Sequence, residues 1–164
     1  MRLLVIVFFL SSYLFSNNTF DTLSEITLNL DKDNNIDTIR LCQDLSTSNR
    51  FLIVSFLGKE PLRNFVNPDA IPNYQESTLS CTEIYKDSTG FNFIIENGNG
   101  SNHKSKKFFF KAFETDIVLY KIEEMRFYVD NFIQEHNVTR FEYNNVNEYD
   151  SIYSLNYFNY KDFW

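Results

Sequence analysis

The sequence predicts an all-β fold, an antiparallel barrel of eight short strands with a sandwich as the neighbouring solution, and one short helix in front. Three observations carry this. Residues 50–58, Arg-Phe-Leu-Ile-Val-Ser-Phe-Leu-Gly, form the longest apolar run outside the N-terminal leader. That run is too short for an ordinary helix and suits a central strand buried on both faces. Strand-like segments then follow at steady spacing, separated by turn clusters such as Asp87-Ser88-Thr89-Gly90. Finally, 18 Phe and 10 Tyr stand against 4 Gly and 3 Pro. Aromatic residues favour strands, and a domain this small does not easily sink so many rings into one core without lining something.

The chain of 164 residues is one domain behind a leader. Met1-Arg2 is a positive start, residues 3–10 are unbroken apolar, and residues 11–16 offer a cleavage region ending at a small residue. This is the pattern of a secretory signal peptide over residues 1–16, leaving residues 17–164 as a mature, extracellular domain. The apolar core of the leader is short for a membrane span, and no later stretch reaches that length, so no membrane association is expected after cleavage. Secretion changes the reading of Cys42 and Cys81, which are expected to pair as a disulfide. Closing that loop would stabilise the domain by roughly 3 to 4 kcal/mol. Three sequons agree with secretion: Asn17-Asn18-Thr19, Asn99-Gly100-Ser101 and Asn137-Val138-Thr139. The first abuts the cleavage point, so Asn99 and Asn137 are the expected glycan sites.

In order along the chain, Ile26, Leu28 and Leu30 alternate within residues 20–30, a short strand or an extended arm. Residues 31–37, Asp-Lys-Asp-Asn-Asn-Ile-Asp, put oxygen ligands at the first, third, fifth and seventh places of a calcium loop. The sixth place is Ile36 where a Gly must turn the chain, and the twelfth is Cys42 where a bidentate Glu belongs, so no metal site is assigned. The better reading is an acidic helix start, with Ile36, Ile39, Cys42 and Leu45 repeating every third residue along one face. Residues 46–49 break that helix and lead into the central strand. Residues 59–75 contain Pro61, Pro68 and Pro72 and read as an irregular connection. Strands are expected at 78–85, 91–96, 107–113, 116–123, 125–132, 139–143 and 152–157. Residues 125–134 equally fit a helix, since Met125, Val129 and Phe132 share a helical face.

Side chains alternate between the two faces of a strand, so each segment can be assigned an inside. Phe91, Phe93 and Ile95 share one side. Lys111 should face water, which places Phe108, Phe110 and Ala112 inside, and Lys121 outward places Val118, Tyr120 and Ile122 inside. Glu83 and Tyr85 oppose Thr82 and Ile84. The expected ligand-lining set is Phe91, Phe93, Phe110, Val118, Tyr120 and Ile122. Tyr120 leads it, because its ring adds apolar area and its hydroxyl orients a polar group. The competing reading has all these side chains filling a solid core.

Other chemistry is set aside. A net charge of −7 disfavours a nucleic-acid partner and mildly favours a cationic ligand. His103 and His136 sit in polar surroundings with no nucleophile elbow and no zinc-ligand spacing. Glu123 and Glu124 are adjacent, hence on opposite faces of a strand, and Glu114 and Asp116 flank a turn. The basic run 103–107 reads as a solvated turn before a buried strand. No enzyme activity, catalytic residue or cofactor is expected.

The run Gln43 to Arg50 leads into Phe51-Leu52-Ile53-Val54-Ser55-Phe56 and a Gly58-Lys59-Glu60-Pro61 turn. Next come Leu79-Ser80-Cys81-Thr82-Glu83-Ile84-Tyr85 and a hairpin into Phe91-Asn92-Phe93-Ile94-Ile95. This order resembles the front half of the tick salivary lipocalins, over about residues 36–122. The resemblance implies a secreted, eight-stranded lipocalin-like barrel that binds histamine, serotonin or small lipids in a cavity. The family's amine-binding motif with its second cysteine is absent after Cys81, and the wider Gly-x-Trp signature is absent too, Trp164 being the single tryptophan. Two functions follow from the sequence. One is a barrel that binds a small hydrophobic or amine ligand. The other is a secreted β-sandwich whose aromatic patches meet another protein, such as one of a host.

Overall fold

Two-residue alternation organises the first sheet. The computed structural model describes residues 19–58, 63–72, 79–81, 83–99, 102–113, 116–128, 134–142 and 153–164. The leader and the Asn17 sequon lie outside these residues. Strands β1 (Phe20–Leu28), β2 (Asp37–Asp44), β3 (Arg50–Phe56) and β4 (Arg63–Asn67) form an antiparallel sheet in that order. In β3 the side chains of Leu52, Val54 and Phe56 are buried while Phe51, Ile53 and Ser55 are only partly covered. Ile39 and Leu41 of β2 pair with Val54 and Leu52 and are fully buried.

The expected front helix is therefore a strand. Its three-residue stripe joined residues that the fold separates: Ile36 and Leu45 are 55% and 58% exposed, while Ile39 is completely buried. The two-residue period of Ile39 and Leu41 prevails because β1 and β3 pair with β2 on either side, while an isolated three-turn helix gains little by itself. Strand β4 falls inside the stretch read as irregular. Arg63-Asn64-Phe65-Val66-Asn67 has only two apolar residues, enough for an edge strand, where one side of the ladder is unused.

Six strands make the second sheet: β5 (Leu79–Ser80), β6 (Ile84–Lys86), β7 (Phe91–Asn99), β8 (Asn102–Phe113), β9 (Asp116–Tyr128) and β10 (Gln134–Glu142). Their order is β10-β9-β8-β7-β5, and β6 also pairs with β7. Of the single strand expected at 78–85, the described residues form two short strands, β5 ending at Ser80 and β6 starting at Ile84; residues 78 and 82 lie outside the described residues. Strand β8 begins at Asn102, so the basic run read as a turn is part of the ladder, with Lys106 and Lys107 opposite Glu124 and Glu123. Segments 116–123 and 125–132 merge into β9 as far as Tyr128, which answers the strand-or-helix alternative up to that residue; residues 129–133 lie outside the described residues. Asn99 closes the β7–β8 hairpin opposite Asn102, whereas Asn137 lies in β10 between two shifted registers, not in a turn.

The two sheets share one core, built from Ile39, Leu41, Leu52, Val54, Phe56 and Phe65 on one side and Phe91, Phe93, Ile95, Phe108, Phe110, Ile117, Leu119 and Ile122 on the other. They are not closed into the expected barrel. At one side β1 meets β6 through a side chain, Ser24 Oγ accepting from the Ile84 N–H at 3.2 Å. At the other side Asn67 of β4 donates through Nδ2 to the carbonyls of Leu155 and, at 2.8 Å, Phe158. Side-chain links replace the backbone ladder that closure requires. Among the described residues of the strand expected at 152–157 there is one isolated bridge, between Ser154 and Val118, and a 3-10 turn follows at Tyr160–Phe163. Among the described residues no helix is long and apolar enough to cross a membrane.

Candidate functional site

The expected ligand-lining residues divide between the two faces of the second sheet. Phe91, Phe93 and Phe110 are fully buried, and Ile122 is 4% exposed, all in the shared core. The rings meet one another: Phe91 stacks on Phe110 at 5.4 Å and Phe93 on Phe110 at 5.5 Å between centroids. Phe158, from the C-terminal segment, stands edge-on to Phe108 and Phe110 at 5.2 Å and stacks on Phe163 at 5.5 Å. The aromatic surplus is thus spent on contacts within the chain, with the C-terminal rings seated between the sheets.

Val118 and Tyr120 lie on the outer face. The ladder pairs Phe109 with Lys121 but Phe110 with Leu119, so one residue of β9, Tyr120, is extra. A bulge of this kind shifts the alternation by one. Ile117 and Leu119 therefore face the core before it and Ile122 after it. Outside, Tyr120 donates its hydroxyl to Asp87 Oδ2 at 2.6 Å and accepts from Thr89 Oγ1 at 2.9 Å. Burial, and then the bond to the Asp87 carboxylate, push the Tyr120 phenol up to about 12. Burial pushes Asp87 upward, but the bonds from Tyr120 and Thr89 outweigh it and leave its carboxyl below the ordinary value. Lys111 lies over the Tyr120 ring at 5.1 Å, and Lys107 and Lys121 flank Phe109 at 5.0 and 4.9 Å.

The expected disulfide is not formed: Cys42 and Cys81 are both free and buried. Cys42 alternates with Leu41 and so points away from the shared core, opposite Phe51 in the register, whereas Cys81 belongs to the core. The two thiols belong to different sheets, and the first sheet stands between Cys42 on its outer side and Cys81 in the shared core, so they cannot meet without moving the backbone. Burial raises both thiols, Cys81 to about 12, so each stays protonated.

The inner face also carries charge where β8 and β9 run past the aromatic core. Glu124, 1% exposed, lies 2.6 Å from Arg126 Nε, 3.7 Å from Lys106 Nζ and 3.9 Å from Lys104 Nζ. Lys106 donates to the Phe163 carbonyl, and Lys104 and Lys106 lie over the Trp164 ring at 4.9 and 5.3 Å. A buried carboxylate among cations holds the C-terminal segment in place at a desolvation cost that only such pairing offsets.

The break between β5 and β6 makes a hollow of about 250 Å³ on the outer face, lined by Ser80, Cys81, Glu83, Tyr85, Ile94 and Glu96. Ile94 and Glu96 face outward because Phe93 and Ile95 face the core; Tyr85 faces outward because Ile84 is buried. The Cys81 thiol spans the break, donating to the Glu83 carbonyl at 3.7 Å and receiving the Ile94 N–H. From the other sheet, Arg50 Nη1 donates to the Cys81 carbonyl at 2.6 Å. Tyr85 donates its hydroxyl to Glu83 at 2.8 Å, and that bond is the first reason its phenol titrates above the ordinary value. Two carboxylates, two hydroxyls and an aliphatic wall suit a small organic cation. Among the described residues no group of His, Cys, Asp and Glu is arranged to hold a metal ion. Alternation alone puts Glu83 and Tyr85 on one face, but the hollow depends on β5 and β6 being separate strands, which an unbroken strand pattern hides. No family model, curated protein or solved structure matches the chain.

Proposed function

We propose that the protein is a secreted, non-catalytic binding protein that takes a small amine on the outer face of its six-stranded sheet. The observation that carries this reading is the hollow of about 250 Å³ with Glu83, Glu96 and Tyr85 in its wall. Its size fits a single small amine, and its carboxylates supply the counter-charge. The resemblance to the tick salivary lipocalins contributes the expectation of a small ligand but not of an amine, since the family's amine-binding motif is absent here. An apolar ligand between the sheets is a weaker reading, because it would have to displace Phe158 from its ring contacts with Phe93, Phe108 and Phe110. The reading as a sandwich that meets a host protein draws its support from Tyr157, which is 70% exposed.

Both carboxylates are solvent-exposed, and exposed ion pairs contribute only about 0.2 to 1 kcal/mol each. With a ring and an aliphatic wall added, the expected Kd is about 0.1 to 1 mM, equivalent to about 4 to 5.5 kcal/mol. Calorimetric titration with histamine and serotonin tests this. Binding should weaken as salt rises and fall several-fold in the Glu83→Gln/Glu96→Gln double variant. Absence of heat with both amines at about ten times the expected Kd would overturn the reading.

A further inference from the structure

Tyr85 and Glu83 meet in the wall of the hollow, but their backbones are held differently. Tyr85 belongs to β6 and pairs with Asn92 of β7, while its neighbour Ile84 is anchored in the core at 3% exposure. Glu83 precedes that strand and is exposed. A glutamate in such a place has several rotatable bonds and water beside it, so fixing its carboxylate in one position costs conformational entropy. The bond that fixes it comes from Tyr85, whose hydroxyl donates to Glu83 Oε2 at 2.8 Å. The Tyr85 ring is 42% exposed, and a phenylalanine would fill the same space; what the hydroxyl adds is this bond.

We propose that Tyr85 is a positioning residue for the cation site, its hydroxyl holding the Glu83 carboxylate at the hollow before an amine arrives. A carboxylate has about four lone-pair positions, so a bound ammonium can share it with the phenol. Because the carboxylate is already ordered by its own chain, an amine does not have to order it on binding, and its affinity is higher for that reason. The same bond raises the titration of the phenol above its ordinary value, so the donor persists across the neutral range. The inference rests on the amine-binding reading of the hollow and adds how its counter-charge is held. A hydroxyl that touched the amine directly would act without Glu83, and the two cases separate by experiment.

A double-mutant cycle read by calorimetric titration with histamine tests this. Tyr85→Phe keeps the ring and removes the donor, and it should weaken histamine about two- to fivefold, up to the full contribution of an exposed ion pair. In the Glu83→Ala background the same substitution should change nothing further. An unchanged affinity in Tyr85→Phe overturns the proposal. So does an equal loss in both backgrounds, which would put the hydroxyl on the amine itself. A second measurement needs no amine: an NMR titration of protein carrying isotope-labelled tyrosine, with the Tyr85 signal identified by its loss in Tyr85→Phe. That phenol should titrate above the ordinary value of about 10 in the wild type and fall towards it in Glu83→Ala. A phenol that Glu83→Ala leaves unmoved shows that the bond does not form, and it overturns the proposal whether or not histamine binds. A phenol that moves, in a wild-type protein that binds neither histamine nor serotonin, leaves the bond standing and overturns the amine reading and the positioning role together.

Discussion

A single carboxylate holds the turn from β2 to β3. Asp44 Oδ1 accepts from Ser46 Oγ at 2.6 Å, from the Ser46 N–H at 2.7 Å and from the Thr47 N–H at 2.9 Å, while Ser48 takes a left-handed φ of 59°. These bonds, the Ser46 hydroxyl first, lower the Asp44 carboxyl to about 2. Unfolded, the same group titrates near about 3.9. Its contribution to stability is therefore fully present above about pH 4 and lost as pH falls through about 2. A carboxyl NMR titration should find Asp44 still ionised at about pH 3. Asp44→Asn should flatten the loss of thermal stability over that interval, and a wild-type value at 3.9 or above would show that the turn is not held this way. The break at residues 46–49 was legible locally, because Ser-Thr-Ser-Asn is turn chemistry at any position in a chain, but the part of Asp44 in it was not, since the three-residue stripe carried the expected helix on to Leu45.

Among the elements, β9 and the C-terminal segment decide what the interior is. Counting alternation straight through Asp116 to Ile122 puts Val118 and Tyr120 inside; the bulge at Tyr120 turns both outward and leaves only Ile122 where it was expected. A bulge has no strong signature in a strand whose two faces are both apolar, as Ile117, Val118, Leu119 and Tyr120 show. The segment 153–164 carries the larger consequence. Its Leu155 and Phe158 are fully buried, and Leu155 N–H donates to the Ile117 carbonyl at 2.7 Å. Phe158→Ala should lower the free energy of unfolding by about 3 to 5 kcal/mol, the range for removing a buried ring from a packed core. Urea denaturation measures this directly, and a loss below about 1 kcal/mol would mean that the ring is peripheral.

At the scale of the molecule the absence of a covalent link between the sheets matters most. With Cys42 facing outward and Cys81 inward, cohesion comes from the shared core, from Ser24 and Asn67 at its sides, and from the Arg50 to Cys81 contact. The folded protein should therefore protect both thiols from Ellman's reagent and release two equivalents on unfolding in denaturant. Its non-reduced mass should equal that of the dithiol form; a mass two protons lower would overturn the opposite-face placement. The sequence by itself determined the all-β class, the central strand at 50–56, the turn at 87–90 and the inward faces of β7 and β8, because these follow from local alternation and turn chemistry. Only the tertiary structure decided that β2 is a strand, that β5 and β6 are separate, that Tyr120 faces out, and that the C-terminal rings fill the space between sheets that never close. Each depends on pairing or packing between residues far apart in the chain, and a two-residue period repeats identically on either side of a one-residue shift.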